Sequence, residues 1–172
     1  LWFFRDPERN TPQDSNSIIS SADGKVCLID EACPPEEISM DAQKMKRICV
    51  FMNVFNVHVN RSPIKGVVKD IVYKKGQFLN ASLDKASEKN ERSSLVINAD
   101  NGTKIIVVQI AGLIARRILG FISVNHNLDQ GERFGLIRFG SRVDIYMPLD
   151  AITQCKVGDK VTAGESVLAS FK

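Results

Sequence analysis

Ser94-Leu95-Val96-Ile97-Asn98-Ala99-Asp100-Asn101-Gly102-Thr103-Lys104-Ile105-Ile106-Val107-Val108-Gln109 decides the fold class of this chain. Two runs of β-branched and aliphatic residues flank a polar stretch that ends in Asn-Gly. That dipeptide tolerates the left-handed backbone of a tight turn, so the pattern predicts a β-hairpin. Further strands are predicted on either side. Residues 48–52 (Ile-Cys-Val-Phe-Met) form a short apolar run suited to a buried strand. Val67, Val68, Ile71 and Val72 open another, and residues 136–139 and 143–147 are strands punctuated by Gly131, Gly135 and Gly140. Asp23-Gly24 predicts a hairpin between Ile18-Ile19 and residues 26–29. Helix is scarce: residues 113–119 form the best short candidate, and the Lys-rich residues 79–90 read as a loop with a helical turn.

The tail alternates turns and strands: Gly158-Asp159, a short strand, Ala163-Gly164, then a strand through Leu168. It resembles the edge of a lipoyl-type barrel-sandwich domain. The expected fold is therefore mainly β (α+β), a barrel- or sandwich-like single domain over residues 1–172 with a few short helices. A length of 172 residues suits one domain or two lobes sharing a core. The chain is 44% hydrophobic and 25% charged, which excludes disordered, collagenous and polytopic membrane classes. A net charge of +3 demands no nucleic-acid partner. Residues 30–41 hold five acids, two prolines and no base, a solvated loop and not a metal site. Cys27, Cys33, Cys49 and Cys155 lack zinc-site spacing and read as reduced thiols. The start, Leu1-Trp2-Phe3-Phe4-Arg5, has two readings: a packed strand, or the interfacial end of a membrane-spanning anchor.

Two histidines are available for proton transfer near neutral pH. His58 shares one face of the alternating stretch Phe55-Asn56-Val57-His58-Val59-Asn60-Arg61 with Asn56 and Asn60. His126 sits in a polar loop. In Gly140-Ser141-Arg142, the glycine lets the backbone bend and exposes its carbonyl to the neighbouring hydroxyl, if a base activates that hydroxyl. Alone, the pair is a very weak signal and far more often marks a plain turn. No G-x-S-x-G, P-loop, dinucleotide fingerprint or H-E-x-x-H is present.

Taken together, Ser21-Ala22-Asp23-Gly24, residues 51–61, Asn90-Glu91-Arg92, Gln109-Ile110-Ala111-Gly112 and residues 131–144 (Gly-Glu-Arg-Phe-Gly-Leu-Ile-Arg-Phe-Gly-Ser-Arg-Val-Asp) resemble the short prokaryotic type of phosphatidylserine decarboxylase. The resemblance spans nearly the whole chain. It implies a pyruvoyl enzyme matured by self-cleavage at Gly140-Ser141, with an Asp23, His58 and Ser141 triad. Residues 1–140 would become a large chain and residues 141–172 a small one. Ser141 would become the covalent pyruvoyl cofactor, forming a Schiff base with phosphatidylserine and releasing CO2 to give phosphatidylethanolamine; His58 would protonate the carbanion. No metal is implied. Phe55 stands where the long type of the family has a second histidine, and Ser21 replaces a proline of the family pattern.

The resemblance further implies an anionic membrane surface as partner, the cytoplasmic face of the inner membrane as location, and an anchor preceding Leu1. A homodimer is a further possibility. Between residues 61 and 92, eight bases (Arg61, Lys65, Lys69, Lys74, Lys75, Lys85, Lys89, Arg92) face four acids, a patch suited to anionic lipid, with Phe78, Leu79 and Leu83 as its apolar part. The competing readings are a non-enzymatic barrel-sandwich carrier, whose attachment lysine would have to be Lys160, and an uncleaved, inactive relative.

Overall fold

The computed structural model describes residues 5–38, 43–53, 55–82, 86–113, 118–138 and 140–172. The strands are β1 Ser17–Ile19, β2 Gly24–Ala32, β3 Met45–Met52, β4 Val59–Arg61 and β5 Gly66–Lys74. After the one-turn helix α1 Ala86–Lys89 come β6 Arg92–Ala99, β7 Lys104–Ile110, β8 Ile118–Gly120, β9 Asn127–Leu128 and β10 Arg133–Ile137. The chain closes with β11 Ser141–Met147, β12 Ile152–Thr153, β13 Lys160–Val161 and β14 Val167–Ser170. The mainly-β, barrel- or sandwich-like class expected from the sequence is what the chain adopts.

Eight strands form one curled sheet in the order β13-β2-β3-β11-β7-β6-β5-β9. Two three-stranded sheets, β4-β10-β8 and β1-β14-β12, complete the fold. The β6–β7 hairpin is the one the sequence predicts: Asn98 pairs with Lys104, and Gly102 takes a φ of 85° in the turn. The Asn101 side chain accepts a hydrogen bond from the Thr103 amide at 2.9 Å, which explains why a polar residue precedes the glycine.

β11 is the central element. It pairs with β3 on one side and β7 on the other, and all seven of its residues are buried. Alternation sends Val143, Ile145 and Met147 into the main core with Ile48, Val50, Met52, Ile105 and Val107. Tyr146 points the other way, into a smaller cluster with Val96, Ile106, Val108 and Ile110. Burying each such aliphatic side chain stabilises the fold by about 1.5–3 kcal/mol. Ile18, Leu168 and Phe134, from the two small sheets, close the main core.

Three local expectations change. Ile18-Ile19 does not form a hairpin with residues 26–29: β1 pairs with β14, whereas β2 pairs with β3 and β13. Gly24 is needed for close approach instead of for a turn, since a Cβ there would lie 2.9 Å from the Phe51 carbonyl carbon. The expected helix over 113–119 ends as strand β8, paired with β10; residues 114–117 lie outside the described residues. The β-branched Ile118 and the glycine at 120 suit an edge strand better than a helix end. The acids of residues 30–38 are not simply solvated. Asp30 makes a bidentate pair with Arg47 at 2.8 and 2.7 Å, and Glu37 one with Arg92 at 2.6 and 2.9 Å.

Candidate active site

β11 begins at the residue of interest. Ser141 is fully buried and stands opposite Met52 of β3. Its hydroxyl contacts the Met52 sulfur at 3.8 Å, and a thioether is a weak acceptor. Gly140 precedes it with a φ of 75°, in the left-handed region where a side chain costs roughly 1 kcal/mol or more. A Cβ on Gly140 would meet nothing within 4 Å, so backbone conformation and not space selects glycine here. The Gly140 amide donates to the Met52 carbonyl at 2.9 Å, which pins the bend to β3.

His58 lies directly before β4 and is fully buried; its carbonyl accepts the Ile137 amide at 3.2 Å. The β4–β10 pairing, which shifts register between Arg133 and Gly135, therefore continues to the residues that lead into Gly140. Asn60, two residues on, is also fully buried. Its Nδ2 approaches the same Met52 sulfur at 3.8 Å and donates to the Ser21 carbonyl at 3.3 Å, while its Oδ1 accepts Gln109 Nε2 at 2.8 Å. Gly135 makes room for that amide: a Cβ there would lie 2.9 Å from Gln109 Nε2. The Arg61 amide also donates to the Ser21 carbonyl, at 3.0 Å. These bonds tie the segment carrying Asp23 to the strand that follows His58.

Asp23 sits in the crossing between β1 and β2. Its Oδ2 accepts Arg9 Nη2 at 3.0 Å, and its Oδ1 accepts the Ala163 amide at 2.8 Å. Among the described residues, the hydrogen bonds of Asp23 run to Arg9 and Ala163. The Ser21 hydroxyl is buried and has no hydrogen-bond partner among the described residues.

The family model for phosphatidylserine decarboxylase matches residues 1–169. The chain belongs to the phosphatidylserine decarboxylase family. Membership makes this a decarboxylase of phospholipid chemistry, with phosphatidylserine as the substrate of its family. The residues Ser141-Arg142-Val143-Asp144 then divide by strand face. Ser141 faces Met52 and the core. Arg142 and Asp144 face the other way and make a bidentate pair at 2.8 and 3.1 Å, both side chains essentially unexposed. Arg142 Nη1 also donates to the Ala81 carbonyl at 3.2 Å, and Arg47 lies 3.9 Å from Asp144. Burial works against the Arg142 charge, yet Asp144 and the nearby thiols hold its pKa above the usual value. Burial pushes the Cys49 thiol well up, helped by Asp144, and also raises Cys27. All four cysteines are free thiols; Cys33 is the exposed one.

Phe55, which the resemblance sets where the long type would have a histidine, is 70% exposed. His126 is engaged elsewhere, its Nε2 lying 2.6 Å from Glu132 Oε2. Lys160, the attachment lysine a carrier would need, lies within β13 and pairs with Lys25, so it does not crown a turn. A cavity of about 850 Å³ lies against Arg47, Arg92 and Tyr146, on the Arg142 face, and its lining contains none of Asp23, His58 and Ser141. Sequence reasoning assigned no role to Met52, Asn60, Gln109 or Arg9. Asn60 shares a face with His58, the one signal that marked it in advance; Met52 is brought in by the β3–β11 pairing, Gln109 by packing between two sheets and Arg9 by the segment before β1.

Proposed function

We propose that this chain is a phosphatidylserine decarboxylase that cleaves itself at Gly140–Ser141 and turns residue 141 into a pyruvoyl group. One observation carries the reading: a left-handed glycine presents its carbonyl beside a buried serine whose hydroxyl is held only weakly by a sulfur. That serine therefore has little hydrogen-bond energy to lose on attack. His58 takes the hydroxyl proton, and Asp23 supports the resulting charge. Oγ adds to the Gly140 carbonyl carbon, and the C–N bond breaks as the Ser141 nitrogen gains a proton, leaving an ester. Loss of the Ser141 Cα proton expels the Gly140 carboxylate and leaves dehydroalanine. Water then displaces the nitrogen as ammonia.

The residues around position 141 suit the group so made, because Ser141 is fully buried and its hydroxyl touches Met52, whose sulfur also meets the buried Asn60. The pyruvoyl group supplies an electrophilic carbonyl for the substrate amine and a sink for the electrons released with CO2. His58 holds a proton beside residue 141 and returns it to the carbon that lost CO2, giving phosphatidylethanolamine. Residues 141–172 stay attached after cleavage through β11 between β3 and β7, β13 on β2, and β14 on β1.

The substrate lipid favours an anionic membrane surface as partner, at the cytoplasmic face of the inner membrane. Among the described residues no helix is long and apolar enough to cross a membrane. The basic patch is smaller than the sequence suggests, since Arg61 and Arg92 are buried; Arg61 holds the Gly131 and Pro7 carbonyls and Arg92 holds Glu37. Lys65, Lys69, Lys74, Lys75 and Lys89 remain at the surface, while Leu83 and Lys85 lie outside the described residues. Reversing Lys74 and Lys75 weakens binding to phosphatidylserine vesicles, at about 1 kcal/mol per charge; sedimentation with vesicles that shows no change removes the patch as a contact.

The deciding experiment is an intact-mass measurement after denaturation. Wild type gives two chains split at Gly140–Ser141, the smaller with a blocked N-terminus, and evolves CO2 from phosphatidylserine. Ser141→Ala gives one chain. A wild type that stays whole favours the uncleaved, inactive relative.

A further inference from the structure

Gly112 lies in the loop after β7, buried, and contributes no side chain. A Cβ added to it would fall inside the van der Waals radius of the Gly140 carbonyl oxygen, 2.6 Å from the carbonyl carbon and 3.3 Å from the Ser141 nitrogen. These are the oxygen, carbon and nitrogen of the peptide group whose C–N bond self-cleavage breaks. The Gly112 hydrogen that stands in the Cβ direction therefore points at the Gly140 oxygen, a weak C–H···O contact with the atom that gains negative charge when Oγ attacks. Gly112 and Gly140 are glycines for opposite reasons. Gly140 needs its φ and has open space, whereas Gly112 is limited by the carbonyl it touches.

The loop that carries Gly112 is itself anchored. Asn90, fully buried, donates from Nδ2 to the Ala111 carbonyl at 2.7 Å, and so grips the peptide plane between Ala111 and Gly112. The same Nδ2 donates to the Leu79 carbonyl at 2.7 Å, and Oδ1 accepts the Leu79 amide at 2.9 Å. The Ala111 amide donates to the Glu91 carbonyl at 2.9 Å. We propose that Gly112, clamped by Asn90, is a positioning residue for maturation: its bare Cα seats the Gly140 carbonyl at the angle from which the Ser141 hydroxyl attacks. This rests on self-cleavage at Gly140–Ser141 as proposed above. It gives Asn90 and Glu91 of one motif and Ala111 and Gly112 of the other a shared purpose, the support of one carbonyl.

The test follows the appearance of the 141–172 fragment by intact mass in wild type, Gly112→Ala, Asn90→Asp and Gly120→Ala. Gly112→Ala slows the splitting ~100-fold or more, the scale of a misplacement near 1 Å. Asn90→Asp keeps the acceptor for the Leu79 amide but loses the donor to the Leu79 and Ala111 carbonyls, and slows splitting ~10-fold. Gly120→Ala, where a Cβ meets nothing within 4 Å, leaves the rate as it was. The midpoint of the pH–rate profile stays at the wild-type value in Gly112→Ala, because His58 is untouched and only the plateau falls. Hydroxylamine, which opens an accumulated ester to a Gly140 hydroxamate and a free Ser141 amine, gives no acceleration. In a Ser141→Ala background, Gly112→Ala melts within a few degrees of its parent.

Splitting of Gly112→Ala at the wild-type rate overturns the inference alone. So does rescue by hydroxylamine, which places the block after ester formation. Loss of cooperative melting in the Ser141→Ala background also overturns it, because the glycine then serves the whole fold. A wild type that never splits removes the self-cleavage reading, and this inference with it.

Discussion

The two faces of β11 handle polar groups in opposite ways. On one face, Arg142 and Asp144 saturate each other, and Arg142 adds the Ala81 carbonyl. On the other, the Ser141 hydroxyl has a sulfur for a partner, and the nearby Ser21 hydroxyl has no partner among the described residues. The two faces alternate along a single strand of seven residues. A fully paired ionic cluster is expensive to disturb and chemically quiet. An under-satisfied hydroxyl next to a left-handed glycine carbonyl is the arrangement that lets a bond be attacked. Adjacent residues of a shared motif can thus serve stability and chemistry separately.

The sharpest break in this contrast is on the chemical face. His58→Ala slows the splitting of the chain by ~10²–10⁴-fold, the usual contribution of a positioned base; intact mass over time measures it, and splitting at the wild-type rate removes His58 from the role. On the ionic face, Asp144→Ala leaves the Arg142 charge buried without its main partner. It costs ~3–5 kcal/mol, read by urea denaturation in a Ser141→Ala background that cannot mature. The double change Arg142→Met with Asp144→Leu recovers most of that loss, because it removes the uncompensated charge. A double variant as unstable as the single one means that packing, not charge, dominates this face.

Smaller effects refine the comparison. Ser21→Ala removes a buried hydroxyl that lacks a partner and stabilises the Ser141→Ala chain by ~1 kcal/mol; a fall in melting temperature means the hydroxyl has a use in the fold. Away from β11, Glu37 gives a pH signature. Burial alone would raise its pKa, but the Arg92 hydrogen bonds outweigh burial and hold the carboxyl below the ordinary value. A depressed carboxylate contributes stability above its unfolded pKa of about 4.3 and loses it as pH falls through the folded value. Glu37→Gln therefore flattens the acid side of the stability–pH curve below about that pH, with the neutral region lowered by the missing ion pair. An unchanged acid limb assigns the acid sensitivity to other carboxylates.

Much of the fold was legible along the chain, because turn chemistry and strand periodicity are local. The Asn101-Gly102 hairpin, the strands at β3, β5 and β11, and the turn–strand alternation of the tail all follow from neighbours in sequence. Asp23-Gly24 looked like a hairpin for the same local reason and is not one. β1 finds a better partner in β14, about 150 residues away, and no local signal encodes that choice. The helix expected at residues 113–119 ends as strand β8, because pairing with β10 overrides a weak propensity.

For the site, the sequence by itself determined which residue types are present: a glycine before a serine, one histidine on a polar strand face, and an aspartate before a glycine. It also determined the family, since those motifs occur in order along the chain. Only the tertiary structure decided which groups meet. Met52 reaches Ser141 through the β3–β11 pairing, Gln109 reaches Asn60 across two sheets, and loops bring Arg9 to Asp23 and Gly112 to the Gly140 carbonyl. The physical reason lies in the register of β11 between β3 and β7. Burial on both faces fixes that register, since a shift by one residue would turn Arg142 and Asp144 into the apolar core and Ser141 away from it.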